Sequence, residues 1–283
     1  MTTPRDALLV TLALVGFAAN SVLCRMALSG TGIDPASFVA WRLGSGALVL
    51  VLLTWLVRRE SPLAHGDWRG AAALLVYAIA FSYAYVGLHA GIGALLLFGA
   101  VQVTMIGAGL LHGERLRAPQ WCGVALACTG LALLKLPVGG APVPGLAAVA
   151  MLLAGVAWGV YSLLGRGAAA PLAHTAANFL RAAPFALLLL ALVPHPRAMP
   201  LDGVLLAVLS GALASGVGYA LWYAVLPRLR ATQAGLLQLL VPVLTALAGV
   251  ALLAEPIDVR LVLGGGSILG GVALVLAKQA RPT

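Results

Sequence analysis

The sequence predicts an all-α integral membrane protein: ten transmembrane helices, built as two inverted five-helix repeats around a central cavity. Three observations predict it. Of the 283 residues, 62% are hydrophobic and only 9% are charged, against about 25% charged in a soluble domain. A soluble fold has nowhere to hide so much apolar surface, whereas lipid accepts it. The apolar residues fall into ten runs of about 20, the length that crosses a hydrocarbon core. The first five runs also align with the last five.

The spans read, in order, as 7–28, 36–57, 69–88, 91–112, 119–137, 145–165, 174–194, 203–224, 232–253 and 259–278. The first is long enough to span and nine follow it, so it reads as a helix and not as a cleavable signal. It places Phe17, Asn20, Ser21 and Cys24 on one face, at helical spacings of three and four. The second begins close to Arg42, with Trp41 and Trp55 at interfacial depth. The third carries Tyr77, Phe81 and Tyr85 four apart, and His89 continues that line into a loop. The fourth holds Gln102 and Thr104. The fifth holds Cys122, Cys128 and a small-residue step, Gly123 and Ala127. The sixth repeats the first, with Trp158, Tyr161, Ser162 and Gly165 on one face. The seventh begins near Arg181. The eighth carries Ser215, Tyr219 and Tyr223 four apart, with Trp222 alongside. The ninth holds Gln238 and Thr245, and the tenth a second small-residue step, Gly266 and Gly270. Connections are very short, so the chain reads as one compact unit.

Charge sets the orientation. With the N-terminus in the cytoplasm, 12 Lys and Arg fall on the inner side and 5 on the outer, which puts both termini inside. The net charge of +9 sits in short loops and not in a patch or tail. It therefore fits lipid headgroups and not nucleic acid. The cysteines Cys24, Cys122 and Cys128 match no metal or redox spacing and read as small packing residues.

The segment Gly-Gly-Ala-Pro-Val-Pro-Gly at 139–145 reads as a linker between a first repeat, 1–138, and a second, 146–283. The halves align at a shift of about 141 residues. Phe17, Ser21 and Arg25 fall on Trp158, Ser162 and Arg166; Thr104 falls on Thr245; Glu114 falls on Glu255. Arg42 meets Arg181 after a two-residue gap. Five spans is an odd number, so the second half enters the membrane from the opposite side. Inverted repeats are the usual construction of secondary transporters. Glu114 is then expected at the cytoplasmic end of the fourth helix and Glu255 at the outer end of the ninth.

Residues 93–116, Gly-Ala-Leu-Leu-Leu-Phe-Gly-Ala-Val-Gln-Val-Thr through Gly-Glu-Arg-Leu, carry a family likeness. Their partner is 234–256, Ala-Gly-Leu-Leu-Gln-Leu-Leu-Val-Pro-Val through Ala-Glu-Pro. Together they resemble the EamA-type signature of the drug/metabolite transporter superfamily, over nearly the whole chain. Within it the chain is similar to the YddG-type exporters of aromatic amino acids. The resemblance implies a basket of helices one to four and six to nine around a cavity, with five and ten at the periphery. Val101-Gln102 stands where the second half has Pro242-Val243, so a proline kink is expected in one half only.

Polar and aromatic groups inside spans are expensive unless used. Each half supplies an aromatic-polar stripe and an amide. The candidate cavity set is Phe17, Asn20, Ser21, Tyr77, Phe81, Tyr85, Gln102, Trp158, Tyr161, Ser162, Ser215, Tyr219, Trp222, Tyr223 and Gln238. Such walls suit a small flat or amphipathic solute. Competing structural readings stand beside this. Trp41, Trp55, Trp68, Trp121 and Tyr83 read as interfacial anchors. Ser82, Thr104, Thr129 and Thr245 read as bonding backbone or a neighbouring helix. Asn20, Gln102 and Gln238 could equally join helices. Arg25, Arg42, Arg166 and Arg181 could attract carboxylates at the cavity mouths or snorkel to the interface.

All eight acidic residues lie at span ends or in loops, which favours a facilitator or exchanger over a tightly proton-coupled pump. No phosphate-cradling loop, buried metal-ligand cluster or nucleophile–base pair is present, which argues against an ATP-driven pump and against an enzyme. No cofactor and no metal are expected. The expectation is a bacterial inner-membrane carrier working by alternating access and exporting small metabolites, with aromatic or large neutral amino acids leading. The alternatives are export of drugs, quaternary cations, nucleosides or sugars, or a channel-like facilitator. A monomer is favoured and a dimer is open.

Overall fold

The computed structural model describes residues 3–112, 117–134, 143–193, 199–229 and 237–279. They form ten long helices: α1 (Pro4–Gly30), α2 (Pro35–Arg58), α3 (Trp68–Tyr85), α4 (Ala90–Leu111), α5 (Ala118–Leu133), α6 (Gly145–Leu164), α7 (Pro171–Leu192), α8 (Leu201–Val225), α9 (Leu240–Leu253) and α10 (Val259–Gln279). There is no strand among the described residues. Helices α1, α2, α4, α6, α7 and α8 are each long and apolar enough to cross a membrane, and α5, α9 and the 259–275 part of α10 are shorter apolar helices.

Helix starts explain where the acids went. Thr3, Asp34 and Asp67 cap α1, α2 and α3 by accepting from Asp6, Ser37 and Gly70 amides. Asp258 accepts from the Leu261 amide at the start of α10. Each satisfies an orphan donor of a first turn. Pro4, Pro35 and Pro171 stand at first-turn positions, where a missing N–H costs nothing.

Eight helices close into a ring in which each packs on two neighbours: α3, α6, α4, α9, α1, α8, α2, α7 and back to α3. Advancing every helix by five maps this ring onto itself. α5 and α10 pack antiparallel on each other outside it, against α4. Their backbones nearly touch at Gly130 and Gly264, where an added Cβ would lie 2.6 Å from a carbonyl oxygen. Gly123 and Gly271 make a second such approach. Gly266 has open space around it and Gly270 meets only Leu126, at 4.0 Å. The close step thus runs seven residues apart, not through Gly266 and Gly270. Cys24 is buried, but Cys122 and Cys128 are exposed on α5 and do not pack.

Two helices deviate from regularity. α8 is π-helical over Ser210–Val217, a widening that often marks a functional site. The helix entering α9 is broken by a turn at Leu239, where Pro242 offers no N–H to the Gln238 carbonyl. α4 runs unbroken through Val101 and Gln102, so the interruption occurs in one half only, as the sequence led us to expect. Glu114 and the 139–142 part of the linker lie outside the described residues.

Candidate functional site

The face where α1 begins is called the near face, and the opposite one the far face. Midway between them the ring is filled by aromatic side chains. Trp158 of α6 lies between Tyr77 of α3, at 4.9 Å between centroids, and Tyr219 of α8, at 5.3 Å with planes only 19° apart. Tyr161 continues from Trp158, and Tyr223 and Phe179 flank Tyr219. Phe17 of α1 reaches both Tyr219 and Trp222, at 5.8 Å each. Toward the far face Tyr77 passes to Phe81 and Phe81 to Tyr85, at 5.3 and 4.8 Å. Centroids this close are the favoured separations for offset and edge contacts. The centre is therefore occupied by rings that close on one another.

A polar chain threads them. Ser210, in the π-helical segment, donates to Asn20 Oδ1 at 2.7 Å, and Asn20 Nδ2 donates to the Tyr77 hydroxyl at 3.2 Å. Arg42 Nη2 donates to the same hydroxyl at 3.0 Å. The Arg42 side chain is only 1% exposed. Its guanidinium lies over the Tyr77 and Phe81 rings, 5.1 and 4.8 Å from their centroids. Arg42 is thus neither at a mouth nor snorkelling; it points to the ring's centre. Sequence reasoning missed this because a cation seven residues into a helix reads as interfacial.

On the far face Arg25 and Glu255 form an ion pair at 3.2 Å. Glu255 Oε2 also accepts from the Ala90 amide at 2.7 Å, capping α4, whose own N-cap residue His89 makes no side-chain cap bond. Arg25 Nη1 donates to the carbonyls of Tyr85 and Val86. One cluster therefore ties α1, the end of α3, the start of α4 and the end of α9. Beneath it Tyr85 is fully buried and Ser21 is 1% exposed. Towards the near face, Ser162 is part-exposed and Arg166 is exposed.

The structure brings together Phe17, Asn20, Tyr77, Phe81, Tyr85, Trp158, Tyr161, Tyr219, Trp222 and Tyr223 of the predicted set. Ser215 is buried beside them with its hydroxyl unpartnered. Ser21 borders the far seal, and Ser162 donates to its own helix at Trp158. Gln102 lines a groove of about 140 Å³ shared by α4, α5 and α10, on the ring's outer side, which departs from the cavity reading and fits the alternative of a residue between helices. Gln238 is half-buried at the break before α9. Ser82, Thr104 and Thr129 bond the carbonyl four residues back as expected. Thr245 is buried without a partner. Trp41, Trp55, Trp68 and Trp121 are all exposed on the outside, as anchors should be. Phe179 and Ser210 join the site although no spacing rule singled them out.

The model of the EamA-like transporter family matches the chain twice, over residues 5–136 and 145–277. An uncharacterized protein of Pseudomonas aeruginosa is 56% identical over 275 residues, 97% of this chain and 96% of that one. An uncharacterized transporter of Archaeoglobus fulgidus is 39% identical over 72 residues, 25% of this chain and 26% of that one. A solved crystal structure 21% identical in sequence superposes with a TM-score of 0.66, covering 96% of this chain and 99% of that one. At that identity it speaks for the fold alone.

Proposed function

We propose that this chain, which belongs to the EamA-like transporter family, is a secondary carrier of small solutes with an aromatic or large apolar body and a polar head. Aromatic and large neutral amino acids lead. The carrier exports them across a bacterial inner membrane by alternating access between two inverted five-helix halves, with both termini cytoplasmic. Membership of the family makes it a multi-pass membrane protein and a small-molecule transporter; substrate, direction and mechanism are our reading.

One observation carries it: the Tyr77–Trp158–Tyr219 stack. It draws one ring from each of α3, α6 and α8, helices from both halves. Rings held between moving halves can separate and re-form around a flat guest with little loss, since the guest's face replaces the face it displaces. The described acids Asp34, Asp67, Glu255 and Asp258 serve helix starts, which supports a facilitative or exchange mode.

Counterflow in proteoliposomes tests this. Vesicles loaded with unlabelled phenylalanine, tryptophan, threonine or glutamate are given labelled phenylalanine. Transient uptake driven by the aromatic loads, and reduced about tenfold or more in Trp158→Ala, is expected from the loss of an aromatic wall worth about 1.5 kcal/mol. No counterflow from any load, in protein shown to be folded, removes the amino-acid reading. Proton influx stoichiometric with solute efflux removes the facilitative mode.

A further inference from the structure

We infer that Arg42 is the solute-binding group of the central site, and that the solute is recognised by a carboxylate held against its guanidinium. The inference rests on the carrier reading above and names the head group that reading left open.

Arg42 differs from the other arginines drawn into the helices. Arg25, Arg228 and Arg260 each hold a carboxylate, of Glu255, Asp6 and Asp258 respectively. Arg181 holds the backbone carbonyls of Leu63 and His65. Arg42 is more deeply buried than any of these, yet its one hydrogen bond runs to a neutral hydroxyl. Its Nε and Nη1 are buried with no hydrogen-bond partner. An arginine does not escape this cost by losing its proton. The faces of Tyr77 and Phe81 offset part of it, but they offer nothing to the two unclaimed N–H groups. An unpaired buried charge is among the costliest things a protein can carry, so a residue of this kind is kept for what it binds.

The chemistry of the missing partner follows from the donors. A guanidinium is matched by a planar anion, and a carboxylate accepts from it in charge-assisted bonds. Among the described residues no carboxylate lies with the central rings: Asp6, Glu255 and Asp258, the acids drawn into the protein, sit at helix ends. The centre thus carries a positive charge that only an arriving anion balances. Tyr77 and Phe81 stand beside the guanidinium, and Trp158 packs on Tyr77, so aromatic faces are at hand to receive the solute's body. Among the described residues the acceptors that an ammonium meets at the rings are neutral oxygens, such as Ser215 Oγ, which is buried without a partner. The site therefore selects the carboxylate and tolerates the ammonium.

Four compounds sharing one phenyl body separate the claims: phenylalanine, 3-phenylpropanoate (no ammonium), phenethylamine (no carboxylate) and phenylalanine amide. Each competes for labelled phenylalanine counterflow in proteoliposomes of the full chain. In the wild type, phenylalanine and 3-phenylpropanoate should compete at least about tenfold better than the two compounds lacking a carboxylate, the size of one charge-assisted bond. Arg42→Gln should abolish that preference, and Arg42→Lys, which keeps the charge but loses the planar fork, should retain part of it. A purely structural role would instead weaken all four compounds alike. Equal competition by phenethylamine in the wild type, or an intact carboxylate preference in Arg42→Gln, overturns the inference while leaving the carrier reading in place. Absence of counterflow with every load strikes the carrier reading itself. If Arg42→Gln does not fold, Arg42→Lys carries the comparison, and an undiminished preference there is the adverse result.

Discussion

At the scale of single residues, Tyr77 is the node of the polar chain, because its hydroxyl takes both Asn20 Nδ2 and Arg42 Nη2. Tyr77→Phe keeps the ring that packs on Phe81 and Trp158 and removes only the oxygen. Two buried donors then lose a partner, at about 1–3 kcal/mol each. We expect a clear fall in the detergent melting temperature, and an unchanged melt would show that the chain is not stabilising. Much of this site was legible in sequence, since Tyr77, Phe81 and Tyr85 recur at one helical turn and so must share a face. What spacing cannot supply is which way a face turns. Gln102 reads from sequence as either a cavity amide or a join between helices, and it lies against α5 and α10. Arg42 reads from sequence as either a cavity-mouth group or a snorkelling one, because membrane helices usually show charges to water, and only packing of α2 between α7 and α8 turns it inward.

At the scale of elements, the end of α9 serves as the cap of α4. Glu255 accepts from the Ala90 amide while pairing with Arg25, so one carboxylate satisfies a helix start and a cation at once. The two roles separate by substitution. Glu255→Gln keeps an acceptor for the amide and loses the charge, whereas Glu255→Ala loses both. We expect stability to fall in that order, with about 1–3 kcal/mol lost in the alanine variant. A double-mutant cycle with Arg25→Ala should show a coupling energy, and strict additivity would mean that the pair contributes nothing. Helix identity was legible from apolar run length, and the break at Leu239 from Pro242. The π-helical stretch of α8 was not: its extra width appears where Ser210 reaches Asn20 on another helix, and Gly211 packs there on the Arg42 backbone, where an added Cβ would collide with the Arg42 carbonyl. Both are tertiary causes with no local signature.

At the scale of the whole molecule, the ring is unchanged when each helix is advanced by five, yet equivalent positions are not equally covered. Ser21 and Ser162 occupy matching places in α1 and α6, and Ser21 is 1% exposed while Ser162 is part-exposed. Arg25 and Arg166 match likewise; Arg25 is pinned by Glu255 and Arg166 is exposed. A helix order that treats the halves alike and a covering that does not is what one of two interchangeable states would look like. If the halves exchange roles as proposed, the ion pair on the far face holds this state, and loosening it shifts the population. The measurement uses Ser21→Cys and Ser162→Cys in a background lacking the exposed Cys122 and Cys128, labelled by a membrane-impermeant thiol reagent. Adding Glu255→Gln should raise labelling of Ser21→Cys from the far face and lower that of Ser162→Cys from the near face. A ligand can move a two-state equilibrium only by its differential affinity, so a transported solute should change both rates in opposite senses. Labelling that rises at both positions together would mean that the charge loss loosens the fold, and the two halves would then not be exchanging roles.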